Sequence, residues 1–264
     1  MTLVYFVCAF AITWGLQLPA ILAREGVIDG SPDRYMDLVG LGAFGPMLAA
    51  MLAASLDGTG LKTLFRPLGT WRVGLSWYLA ALFIPGGIFV LAAATWNALG
   101  HSEPLFYAPN SAAFVAAAIV FPVGEEIGWR GFALPRLIDK VGPLAASAII
   151  GVVWTLWHVP MLTLQGVHPA LYLAFVPFLV GGSILFTWIY THTRGSLLLA
   201  VLTHVGAHLN NPGHAMPERY TPILLHAVAY VILATALVMA DRKAWTGDQR
   251  VRAGHLVARP SAPA

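Results

Sequence analysis

The chain has 264 residues, of which 58% are hydrophobic and only 10% charged, with a net charge of +3, whereas soluble globular domains run near a quarter charged. So few charges cannot cover a water-soluble body of this size, and a mean hydropathy of +0.73 spreads apolar sequence along the whole chain rather than confining it to one core. A soluble monomer is excluded, and the basic residues, scattered through short segments rather than clustered, exclude nucleic acid as a partner.

A helix needs about 20 apolar residues to cross the hydrocarbon of a bilayer. That rule predicts eight spans, over residues 3–22, 36–55, 74–99, 111–134, 143–165, 170–192, 196–210 and 221–240. The expected architecture is all-α, a polytopic transmembrane helical bundle forming a single domain over residues 1–240, with a basic tail over 241–264 expected to be solvated and disordered. The first span has no basic stretch before it, no A-x-A cleavage site and no lipobox around Cys8, so it reads as a retained span rather than a signal peptide. Cys8, the single cysteine, cannot form an internal disulfide and reads as a small residue in an apolar setting. Between the second and third spans, Lys62, Arg66 and Arg72 mix with Leu64, Phe65, Leu68 and Trp71, a pattern suited to a short amphipathic segment on the membrane surface.

An even number of spans puts both termini on one side, so alternate loops can be summed for basic residues. The side of the termini carries eleven, namely Lys62, Arg66, Arg72, Arg136, Lys140, Arg194, Arg242, Lys243, Arg250, Arg252 and Arg259. The other side carries three, Arg24, Arg34 and Arg219, and Arg130 falls within a span. The positive-inside rule then predicts cytoplasmic termini. The second half has no counterpart of its polar residues in the first, against an inverted-repeat transporter.

The fourth span carries Phe121-Pro122-Val123-Gly124-Glu125-Glu126-Ile127-Gly128-Trp129-Arg130-Gly131-Phe132. Each ionisable residue at a helix centre costs roughly 2.5–3.5 kcal/mol on insertion scales, so the three need compensation. Glu126 and Arg130, four apart with the acid first, are placed to pair on one face. Glu125 points about 100° away and needs a partner of its own or water. Pro122 is expected to loosen the helix, and Gly124 with Gly128 forms a small-xxx-small face for close approach of a neighbour, with Gly131 extending it. In the fifth span Trp154 and His158 share a face, and in the seventh so do His204 and His208. The remaining histidines, His101, His168, His192, His214, His226 and His255, fall at span ends or in loops and read as solvated. Trp14, Trp71, Trp77, Trp96, Trp188 and Trp245 read as an aromatic belt.

A carboxylate and imidazoles held with water inside lipid suit peptide hydrolysis: the carboxylate takes a proton as water attacks a carbonyl, and imidazole N–H groups stabilise the oxyanion. The sequence has no HExxH, no mid-span aspartate and no serine elbow, which removes the other intramembrane protease chemistries. Three further readings stay open: a zinc site drawing on His158, His204, His208 and Glu125, a proton-coupled transporter, and a non-catalytic scaffold keeping the charges for structure.

The stretch EEIGWRGF over 125–132, WTLWHVP over 154–160 and the step from His204 to His208 resemble the three motifs of the CPBP family, the CAAX proteases and bacteriocin-processing enzymes, also called intramembrane glutamic endopeptidases. The resemblance covers about residues 111–211 and extends weakly to Phe44-Gly45-Pro46. It implies an eight-span helical protein that cleaves a membrane-associated peptide or protein, with Glu125 as general base, His158 binding and orienting the water, and His204 with His208 forming the oxyanion hole. Glu126, Arg130 and Trp154 support that site. Prenyl-processing members carry asparagine where this chain has His208, so the substrate stays open among prenylated proteins, bacteriocin or pheromone precursors, and a non-catalytic immunity role. Twelve arginines against three lysines, with abundant alanine, suit a GC-rich bacterial genome and its plasma membrane.

Overall fold

The computed structural model describes residues 1–102, 104–106, 111–209 and 223–246. Twelve α-helices are labelled α1 (Thr2–Arg24), α2 (Met36–Leu41), α3 (Gly45–Leu56), α4 (Leu61–Phe65), α5 (Leu75–Ala98), α6 (Ala112–Gly128), α7 (Leu134–Val141), α8 (Pro143–Trp157), α9 (Val159–Leu164), α10 (Tyr172–His192), α11 (Leu197–Leu209) and α12 (Ile223–Ala240). No strand occurs among the described residues. Six helical stretches are long and apolar enough to cross a membrane, and the shorter apolar helices Pro143–Trp157 and Leu197–Leu209 fill the places of the other two expected spans. The protein is a polytopic helical membrane protein. Residue 210 and residues 221–222, the edges of the last two expected spans, lie outside the described residues, as do His214 and His255.

Contacts between helix ends define two faces. On the face that carries the start of α1, Arg136 of α7 meets Asp57 after α3, Ser196 before α11 donates to the Thr70 carbonyl at 2.6 Å, and Trp188 of α10 donates to Asp241 after α12 at 3.1 Å. On the opposite face Arg24, at the end of α1, donates to the carbonyls of Thr163 and Leu164 at the end of α9. These are called the terminal face and the distal face below.

The fourth expected span runs further than the sequence suggested, through residue 141, and its irregularity is not at Pro122. The helix passes Pro122 and widens instead into a π-turn over Trp129–Ala133, before α7. Such turns insert a residue into the helical ladder and occur often at functional sites. The amphipathic segment is a short helix, α4, and a 3-10 turn at Arg66–Gly69, with Leu64 buried. The tail also begins with structure: Arg242–Trp245 forms a 3-10 turn and Trp245 donates to the Leu237 carbonyl at 3.3 Å, while residues 247–264 lie outside the described residues.

Gly124 and Gly128 act as read from their spacing. A Cβ on Gly124 would lie 2.7 Å from the Ala43 carbonyl oxygen, and one on Gly128 would lie 2.5 Å from Pro46 Cβ. The backbone of α6 therefore rests directly on the Gly42–Phe44 turn and the start of α3, which explains a role for Phe44-Gly45-Pro46 in packing. Gly131 faces elsewhere, toward Leu197. Gly128→Ala is expected to lower stability by about 1–3 kcal/mol, the usual cost of overpacking a close contact. Gly15→Ala, also within a helix but where a Cβ meets nothing within 4 Å, should show no such loss in a detergent unfolding titration, since alanine is the better helix former.

Outside the membrane spans, Asp57 accepts from Arg136 Nη2 at 2.9 Å and from the Thr59 amide at 3.0 Å. Partial burial pushes its pKa up, but the Thr59 hydroxyl and amide and the Arg136 guanidinium outweigh that and hold the carboxyl below its ordinary range. Because the folded-state value is depressed, the stabilisation is complete above the ordinary carboxylate pKa of about 4. It is lost as pH falls through the lower, folded value. The stability difference between wild type and Asp57→Asn should close in acid, and a gap that persists there would contradict this account.

Candidate functional site

Two interruptions of regular helix, together with the regular helix α11, carry the central side chains other than Glu125, Glu126 and Trp154. The π-turn after Gly128 carries Arg130. The helix break after Trp157 carries His158, where Pro160 lacks the N–H that would bond back to Leu156. The end of α11 carries His204 and His208.

Glu125 is 4% exposed and accepts a hydrogen bond from the Trp154 indole N–H at 2.8 Å, so the partner this acid needs is an indole from α8. Trp154 meets the rest of the group as well. Its ring packs edge-on to His204 with centroids 5.3 Å apart, and tilted to His158 at 5.6 Å. The backbone carbonyl of Trp154 lies 2.8 Å from His158 Nδ1. A carbonyl can only accept, so His158 Nδ1 carries a proton, and in the neutral ring the lone pair is on Nε2.

Glu126 and Arg130 are both fully buried and pair at 2.9 Å, as their spacing predicts. The sequence did not reveal the third member: His204 Nδ1 lies 2.9 Å from the same Glu126 Oε1. With Glu126 ionised, Nδ1 is the donor there. The Arg130 guanidinium is held over the Trp154 and Phe186 rings at 4.8 and 4.4 Å, which adds cation–π attraction in a dry setting. His204 and His208 rings lie 4.7 Å apart.

Glu125, Trp154, His158, His204 and His208 line one cavity of about 360 Å³, whose walls are otherwise chiefly apolar and aromatic, with Phe121, Phe175 and Phe178 among them. Glu126 and Arg130 lie behind this wall. The structure thus unites every candidate from the three motifs around one chamber. Among the described residues no group of three or more His, Cys, Asp or Glu side chains is placed to hold a metal ion.

Some expectations for the remaining residues need correction. His226 is not solvated: it is 9% exposed, lines the cavity and stacks on Phe89. His192 lies 2.8 Å from Asp241 and stacks on Trp77, so Trp77 and Trp188 belong to an interhelical cluster rather than to a belt alone. Trp14 likewise donates to the Trp157 carbonyl at 3.1 Å. Gln17 and Gln165 also line the cavity and were not singled out, since an isolated glutamine in an apolar run has no spacing partner to mark it. Cys8 is half-buried beside the core of α1, α3 and α6.

Residues 107–210 match the family described as Type II CAAX prenyl endopeptidase Rce1-like. The chain is also similar to the CAAX prenyl protease 2 of Methanococcus maripaludis, at 28% identity over 131 residues, which are 45% of this chain and 46% of that protein. The alignment therefore spans just under half the length of the curated relative.

Proposed function

We propose that this chain, which belongs to the CPBP family of CAAX proteases and bacteriocin-processing enzymes, is an intramembrane endopeptidase that hydrolyses a peptide bond of a membrane-associated polypeptide. The observation that carries the reading is the convergence of a buried carboxylate, Glu125, with the imidazoles of His158, His204 and His208 on one apolar chamber. A purely structural ion pair needs only Glu126 and Arg130.

In this reading a water is held between Glu125 and His158. Its oxygen bonds to the scissile carbonyl carbon while its proton passes to the Glu125 carboxylate, and His204 with His208 donates to the oxygen that gains charge. The protonated Glu125 then gives its proton to the peptide nitrogen as the C–N bond breaks, which restores the carboxylate. Since His204 Nδ1 faces Glu126, donation to an oxyanion comes from its other nitrogen, so the ring acts as an imidazolium with Glu126 as counter-ion. Arg130 and Glu126 are positioning residues, acting through His204. No step is routed through a metal, so activity should survive chelators and the purified protein should lack zinc.

The proposed setting is a bacterial plasma membrane with both termini cytoplasmic, as the distribution of lysine and arginine supports. Comparative proteomics of membranes carrying wild type or Glu125→Ala tests the activity. A membrane peptide or protein should accumulate uncut with the variant, and identical profiles would favour a scaffold instead.

A further inference from the structure

A polypeptide about to be cut brings polar groups of its own into the bundle. Within an intact helix its peptide groups bond to one another, but the stretch around the scissile bond has to unwind to meet the water. Each N–H and C=O released in an apolar chamber then needs a partner. The groups of the three motifs are already engaged: Glu125 accepts from the Trp154 indole, His158 Nδ1 faces the Trp154 carbonyl, and His204 Nδ1 faces Glu126. Other side chains have to receive the main chain.

Among the described residues nine buried side-chain polar atoms have no hydrogen-bond partner, and two of them belong to residues that line the chamber, Gln17 Oε1 and Trp157 Nε1. One is an acceptor and the other a donor, the complement of a peptide group. They come from one wall. Trp14, three residues before Gln17 on α1, donates to the Trp157 carbonyl at 3.1 Å, which ties this part of α1 to the end of α8 beside His158. The Gln17 amide rests on the Gly42 backbone, where a Cβ would lie 3.4 Å from its Nε2, and the next residue, Ala43, is the one that Gly124 packs against. This wall therefore adjoins both Glu125 and His158. Gln17 stands seven residues before the end of α1 at Arg24 and is 2% exposed. That is about 10 Å along the helix from the distal face, too deep for water there to satisfy the amide. A buried amide oxygen without a partner costs stability that an apolar side chain of similar length would not, so an amide in this place points to a ligand that completes it. Resting on the endopeptidase reading above, we infer that Gln17 and Trp157 form a subsite for the main chain of the substrate. The Gln17 side chain accepts from a peptide N–H, turning about its soft terminal torsion to reach it, and the Trp157 indole donates to a peptide C=O of the unwound stretch. Such a subsite grips backbone rather than side chains.

Binding without turnover tests the subsite. The Glu125→Gln protein, in which hydrolysis is suppressed, is labelled with nitrogen-15 tryptophan and studied by NMR in detergent micelles. The Trp157 indole resonance is identified by its loss in Glu125→Gln/Trp157→Phe. The probe is an acetyl- and amide-capped tetrapeptide of leucine, alanine and phenylalanine, with analogues in which each peptide N–H in turn is replaced by an ester oxygen. The Trp157 indole proton should move downfield and saturate as the tetrapeptide is added. One ester should bind about 3–10-fold more weakly than the parent, the worth of one hydrogen bond. Adding Gln17→Met should weaken the parent by the same factor and leave that ester no worse, because the contact it lacks is then already gone. A Trp157 resonance that stays in place, esters that all bind like the parent, or equal affinity with and without Gln17→Met overturns the subsite. The ester series needs no variant at Gln17, so it decides the matter even where Gln17→Met fails to fold. The proteolytic reading fails separately, if the chain with Glu125 intact cuts nothing while the tetrapeptide still binds.

Discussion

Arg130→Met should cost this protein about 3–5 kcal/mol of stability, the range for removing one partner of a buried ion pair. The reason lies in what remains. Glu126 has no exposed surface and Arg130 Nη1 is one of its two charge-assisted donors, at 2.9 Å. Without the guanidinium its charge is shared with His204 alone, in a layer where water cannot take over. The double variant Glu126→Gln/Arg130→Met should recover most of that loss, because neither side then strands a charge, while hydrolysis should not recover, because His204 loses the carboxylate that orients it. Unfolding in detergent separates the two effects from a reporter assay. A loss below about 1 kcal/mol for Arg130→Met would instead assign the pair the small worth of an exposed salt bridge.

The pairing of Glu126 with Arg130 was legible because both residues lie on one helix, where spacing translates directly into geometry. The same holds for His204 with His208, for the glycine face of α6, and for the spans, whose length is set by the bilayer. The links that complete the site join residues far apart in sequence. Trp154 reaches Glu125 across 29 positions and His204 reaches Glu126 across 78, and no local periodicity encodes either contact. Composition could place a tryptophan near a membrane surface, but not tell a belt residue from Trp188, which donates to Asp241. His226 escaped for a related reason. It sits close to the end of its span in sequence, yet packing of α12 against α10 turns it onto the chamber, where it stacks on Phe89. Pro122 marked the right helix but the wrong turn, since a helix in a bundle can absorb one proline and place its distortion where a functional side chain needs redirecting.

Glu125→Gln should leave the fold intact and lower kcat by about 10²–10⁴-fold, the span attributed to a positioned general base. Glutamine keeps the size of the side chain and can still accept from the Trp154 indole, so what disappears is the capacity to take a proton from water. His158→Ala should fall in the same range with little change in KM, because the water it orients is engaged in the transition state rather than in substrate binding. Trp154→Phe is the informative contrast. It keeps an aromatic ring against His204 and Phe186 but removes the donor to Glu125, so the carboxylate remains and is less well held. A loss of about tenfold, between wild type and Glu125→Gln, is expected where geometry rather than the reacting group is disturbed. Groups that act on one water do not contribute independently, so the double variant Glu125→Gln/His158→Ala should be no slower than the more impaired single variant. Losses that multiply in the double variant would mean that Glu125 and His158 serve separate steps, and the shared water between them would have to be abandoned.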